Sequence, residues 1–77
     1  MTSINILEQK INYYWLDKNI KSGTKYLIMN DNTLDTMASD EGKIVNKTEK
    51  RYLVPCYHGV PIATCNIIPE GVVEIII

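Results

Sequence analysis

The segment 57-YHGVPIATCNIIPEGVVEIII-77 decides the fold of this chain. Gly59 breaks an apolar run, 60-VPIATCNII-68 resumes it as a further strand, and 69-PEG-71 turns the chain into 72-VVEIII-77. The last stretch is apolar except for Glu74. Val72, Val73, Ile75, Ile76 and Ile77 would each contribute about 1.5–3 kcal/mol if fully buried, and their sum rivals the whole stability of a small domain, about 5–15 kcal/mol. An exposed edge of this composition would aggregate. The expectation is therefore an inner strand covered on both faces, with a neighbouring edge free for association.

Working back from it, 43-KIVNKTEKRYLVPCYH-58 predicts two strands joined across the polar 46-NKTEK-50. Pro55 and Pro61 lack an N–H to donate, which assigns them to edge positions or bulges. The run 25-KYLIMN-30 reads as a buried strand passing into a turn, and Asp31 or Asn32 is expected to cap a short helix, 33-TLDTMAS-39, with Leu34, Met37 and Ala38 on one side. Near the start, Asn5 and Glu8 have capping-box spacing, and Gly23 follows Lys18 and Lys21 as a stop signal. These predict a helix from about Asn5 to Ile20. Its apolar residues fall on two stripes, Ile4, Leu7, Ile11, Tyr14 and Trp15 on one, Ile6, Tyr13, Leu16 and Ile20 on the other. One stripe is expected on the sheet and the second against another layer or chain. The sum is a single small α+β domain over residues 1–77, with an N-terminal helix and a short second helix packed on a small mixed β-sheet.

Composition narrows the function. The 77 residues are 45% hydrophobic and 22% charged, the balance of an ordinary globular chain. Domains this small often need a staple such as a disulfide, a metal or an oligomeric partner. Eight basic and nine acidic side chains leave a net charge of −1, which steers the chain neither to nucleic acid nor to an anionic membrane. The opening 1-MTSINILEQK-10 does not read as a secretory signal, and no run approaches the ~18 apolar residues of a membrane span. The expected setting is a reducing cytoplasm, with Cys56 and Cys65 as free thiols.

Cys56, His58 and Cys65 form a C-x-H-x6-C cluster. Structural zinc wants four ligands in tight pairs, and no fourth Cys or His is present, so the expectation is no metal and no cofactor. Cys56 and His58 would share a strand face, yet no oxyanion-forming motif accompanies them, and no catalysis is expected. Lys43, Lys47, Lys50 and Arg51, with Tyr52 beside them, are the basic patch of a nucleic-acid reader, the alternative function being a small regulator from a mobile element. Asp40, Glu41 and Glu49 are expected to neutralise that patch, leaving a solvated hairpin.

The order of a helix, then 26-YLIMNDNTLDTM-37, the acidic turn 40-DEG-42 and 57-YHGVPIATCNIIPEG-71 resembles the axial domain of tailed-phage major capsid proteins, a fold shared by encapsulins. The residues that carry the resemblance are Met29, Asn30, Thr33, Leu34, Gly59, Val60, Pro61, Ile62 and Pro69. It covers about residues 5 to 72. A full capsid subunit has in addition an N-terminal arm, an extended loop and a peripheral domain with a long spine helix, which 77 residues cannot hold. What the resemblance implies is a free-standing axial-domain relative, a phage or prophage structural or interaction protein in the host cytoplasm or virion. Its expected partner is capsid or another virion protein, or a second copy, and not a membrane. The residues expected at such an interface are Tyr13, Leu16, Ile20, Val72, Val73, Ile75 and Ile77.

Overall fold

In the structure, a computed structural model, residues 2–6 and 12–77 are described. The elements run β1 (Thr2–Asn5), α1 (Tyr13–Asn19), β2 (Tyr26–Met29), α2 (Asp31–Ser39), β3 (Val45–Glu49), β4 (Tyr52–Tyr57), β5 (Val60–Thr64) and β6 (Val72–Ile76). The fold is α+β: a mixed sheet of six strands in the order β1-β6-β2-β5-β4-β3, with two helices. Among the described residues only β2 and β5 pair in parallel.

β6 is an inner strand, hydrogen-bonded to β1 on one side and β2 on the other. Alternation then decides which side chains enter the core. Val73 and Ile75 are fully buried, beside Ile4 and Thr2 of β1 and Met29 and Leu27 of β2. Val72, Glu74 and Ile76 point to the opposite face and are half-buried. The expectation of a strand covered on both faces is thereby corrected. Ile6, Leu16, Leu27, Met29, Met37, Tyr57, Ile62, Val73 and Ile75 form one cluster, which places both helices on the same side of the sheet.

The N-terminal region departs most from expectation. Residues Thr2–Asn5 are a strand and not a helix start. Glu8, Leu7 and Ile11 lie outside the described residues. α1 ends at Asn19, well before Gly23, with Lys18 in its last turn as expected. The two stripes are also exchanged. Ile6 and Leu16 are fully buried, Tyr13 and Ile20 pack on the core, and Tyr14 and Trp15 face outward.

The β3-β4 and β4-β5 connections are two-residue hairpin loops, Lys50-Arg51 and His58-Gly59, with positive φ at both central residues. Such type I′ geometry suits the twist of the flanking strands. Gly59, at φ 79°, fits it at no cost, whereas Lys50 and Arg51 adopt it against their side chains. The loop thus falls one or two residues later than predicted, and Asn46 to Glu49 belong to β3.

Hydrogen-bonded and non-hydrogen-bonded pairs alternate outward from a two-residue loop. Glu49 and Tyr52 are a bonded pair, and the count then makes Asn46 and Pro55 a non-bonded one, where a missing N–H is harmless. Toward β5, Tyr57 and Val60 are bonded and Cys56 and Pro61 are not. The next bonded pair would need the N–H of Pro55, and there the β4-β5 ladder stops. Both prolines occupy positions with a strand partner on one side only, as expected. Beyond Pro55 the β3-β4 hairpin leaves the sheet as a two-stranded arm.

Candidate functional site

The β5-β6 loop is built onto the start of α2. Asn30, one residue earlier than predicted, is the N-cap: its side-chain oxygen accepts the Asn32 N–H at 2.9 Å, and its Nδ2 donates to the Ile68 carbonyl at 3.0 Å. The Asp31 N–H donates to Asn66 Oδ1 at 3.1 Å, and Asn66 Nδ2 returns a bond to the Asp31 carboxylate at 3.0 Å. Asn32 Nδ2 donates to Glu70. Thr33, fully buried, accepts the Gly71 N–H at 2.8 Å, and Gly71 takes φ 84° where the chain turns into β6. The buried side of α2 is Thr33 and Met37, with Leu34 half-buried; Ala38 is exposed and not part of the stripe. Thr33, left out of the predicted stripe, can turn inward because its hydroxyl is satisfied inside. This loop holds up Ile67, which at 92% exposure contributes nothing to the chain's own core. The hydrogen bonds from α2 to Asn66, Ile68 and Gly71 fix where that side chain stands.

The arm is the second displayed element. Every residue of β3 is exposed, as are Tyr52 and Leu53 at 73% and 70%, so neither face of the ribbon is covered. An isolated two-stranded ribbon is marginally stable in water, which makes an uncovered one a surface in want of a partner. Lys47, Lys50 and Arg51 take part in no ion pair among the described residues, where the sole pair is His58 with Asp17 at 3.3 Å. Among the described residues none of Asp40, Glu41 and Glu49 makes an ion pair with the patch: Asp40 accepts a hydrogen bond from Tyr13, and Lys43 lies 4.6 Å over the Tyr13 ring.

Tyr13 belongs to the lock that fixes α1 to the sheet. Its ring stacks on Tyr57 at 5.9 Å, and the Tyr57 hydroxyl donates to Asp17 of α1. Burial first, then the facing carboxylate, raises both phenols well above their ordinary range, Tyr13 through Asp40 and Tyr57 through Asp17.

Of the residues expected at an interface, Leu16, Val73 and Ile75 are fully buried in the chain's own core and are corrected to core residues. Tyr13 and Ile20 pack on that core too, so the second stripe is not a free surface. Val72 is half-buried on the uncovered sheet face, and Ile77 is 58% exposed. Besides Ile77, the large apolar side chains displayed among the described residues are Tyr14, Trp15, Tyr26, Val45, Tyr52, Leu53 and Ile67, none of them expected at the interface. Tyr14 and Trp15 meet edge to face at 5.5 Å, with Lys18 over the indole at 5.1 Å.

The sequence cluster of Cys56, His58 and Cys65 is used in three separate ways. Cys56 is buried and its thiol points at the Val54 carbonyl at 3.6 Å, His58 sits in the hairpin loop against Asp17, and the Cys65 N–H extends the parallel ladder to Met29. Among the described residues, no three His, Cys, Asp or Glu side chains converge as metal ligands would. No helix there is long and apolar enough to cross a membrane. Comparison with protein-family models, with curated proteins and with solved structures returns no match.

Proposed function

We propose that this chain is a non-enzymatic phage or prophage structural protein that acts by protein-protein contact in virion assembly. The observation that carries the reading is that four of the residues on which the capsid resemblance rests, Met29, Asn30, Thr33 and Pro69, meet at one loop. Met29 leads β2 into Asn30, Asn30 and Thr33 hold the loop that contains Pro69, and Ile62 pairs with Leu27 of β2, whereas Gly59, Val60 and Pro61 serve the β4-β5 hairpin at the other end of β5. What that loop presents is Ile67. The partner that fits an apolar tip on a rigid loop is a protein with an apolar recess, and capsid protein is the partner the resemblance points to.

The test is co-sedimentation with assembled shells of a tailed-phage major capsid protein. Wild type is expected to co-sediment, and Ile67→Asp to lose binding with an unchanged melting temperature, since that side chain is solvent-exposed in the free chain. Failure of the wild type to bind, or binding indifferent to Ile67→Asp, overturns the proposal.

The unpaired Lys47, Lys50 and Arg51 favour a second reading, the nucleic-acid-binding regulator. Against it stands the charge of the remaining chain. Residues 43–54 hold four cations and one carboxylate, net +3, so with −1 overall the rest carries −4 and repels a polyanion.

A further inference from the structure

The charge of this molecule is sorted by position. The arm and its approach hold Lys43, Lys47, Lys50 and Arg51 against Glu49 alone. Segments 26–42 and 59–77, which build α2 and the loop docked on it, contain six carboxylates and no lysine, arginine or histidine. Asp31 and Asp35 stand four residues apart, hence on one face of α2, and Glu70 is tied to that face through Asn32. Asp35 and Glu70 are exposed. Neither the arm's cations nor Asp35 finds an opposite charge among the described residues of its own chain.

We propose that the β3-β4 arm docks on the acidic outer face of α2 of a second copy, the tip residues Lys50 and Arg51 meeting Asp31, Asp35 and Glu70. The inference rests on the protein-contact reading above and names a partner that reading leaves open. Three observations choose a second copy over other occupants. The complement to a net +3 arm is present on the same chain, at −4 for the remainder, so each copy carries both halves of the contact. The arm leaves the sheet at Pro55, and its β3 is exposed along its whole length. Tyr52 and Leu53 flank the cationic tip on opposite faces of the ribbon, so whichever face docks covers one of them, which supplies apolar burial that charge alone lacks. A nucleic acid would gain the arm and meet the acidic body. Made reciprocally, the contact gives an isologous two-fold dimer; made head to tail, it gives a ring or an open filament according to its angle.

Sedimentation velocity of the whole chain at low and moderate salt tests this. Wild type should associate, and raising salt from about 0.05 to 0.5 M should weaken association about tenfold, because exposed charges lose each other beyond a screening length that shrinks with salt. Lys50→Glu with Arg51→Glu should be monomeric, as should Asp35→Lys with Glu70→Lys, each with wild-type circular dichroism. Mixed one to one, these two variants should associate with each other, since each restores the other's complement. A monomeric wild type at high concentration, or a mixture that stays monomeric, overturns the proposal. So does association that survives Lys50→Glu with Arg51→Glu, and so does submicromolar binding of duplex DNA at physiological salt that these two substitutions abolish. Shell binding sensitive to Ile67→Asp in a chain that stays monomeric would refute the arm docking alone and leave the protein-contact reading intact.

Discussion

Ile75 and Ile76 are adjacent, identical and on the same inner strand, yet they should differ sharply when cut back to alanine. Ile75 is fully buried between Thr2 of β1 and Leu27 of β2; Ile76 faces the uncovered side beside Tyr26 and is half-buried. The loss of β-branching weakens a strand in both variants, so the contrast isolates burial. Ile75→Ala removes core methyls and leaves a cavity, for which about 3 kcal/mol is a central value. Ile76→Ala forfeits part of the transfer term and opens no cavity, about 1 kcal/mol. At roughly 0.05–0.15 kcal/mol per residue, a chain of 77 residues has about 4–12 kcal/mol in all. Each kcal/mol moves the midpoint of so small a domain by about 4–8 °C. Thermal unfolding followed by circular dichroism should therefore show Tm lower by about 12–24 °C for Ile75→Ala and about 4–8 °C for Ile76→Ala. Aspartate at the two positions sharpens the contrast, with Ile75→Asp unfolded and Ile76→Asp folded. Equal losses, or a larger loss at Ile76, would refute the one-sided sheet.

Asn30→Ala removes both the α2 cap and the bond to the Ile68 carbonyl, and should cost about 1–2 kcal/mol in urea unfolding; Asn30→Asp keeps the cap, loses the donor, and should fall between. Alkaline stability should be set by the two raised phenols. Because Tyr13 and Tyr57 are held protonated in the folded state, their contribution is complete below the ordinary phenol value of about 10 and is lost as pH climbs through it toward the raised values. Thermal midpoints from pH 8 to 11 should fall more steeply in wild type than in Tyr13→Phe with Tyr57→Phe, and parallel slopes would contradict the assignment.

The fold was legible in the sequence wherever a residue type has one structural use. Gly59 and Gly71 marked positive-φ turns, the two prolines marked ladder ends, and the apolar density of residues 72–77 marked an inner strand. The features that stayed hidden have physical reasons. Ile4 and Ile6 fit a strand's alternation as well as two helical stripes, so the end of β1, Ile4 and Asn5, was read into the helix. Given two apolar stripes on α1, no pattern says which one turns inward; a phenol that can reach a carboxylate, as Tyr13 reaches Asp40, is as good a core residue as a leucine. The Lys50-Arg51 loop carries no glycine or asparagine, the usual sign of its turn type. The arm has no buried face to give its strands a pattern, and Ile67 looks in sequence like any core isoleucine.

The stop imposed by Pro55 has a mechanical meaning. Past it the arm is joined to the rest of the sheet by only two residue pairs, Cys56 with Pro61 and Tyr57 with Val60. A force applied at Lys50 and Arg51 therefore passes down one lever and enters the body at Tyr57, whose ring is buried against Tyr13 and whose hydroxyl holds Asp17 on α1. The lever has its fulcrum at an aromatic bearing and its far end at a helix. Whatever grips the tip pulls on α1 through Tyr57 and, along β3, on the turn that follows α2, while the loop that lifts Ile67 hangs on β6 and the start of α2, away from both lines of load.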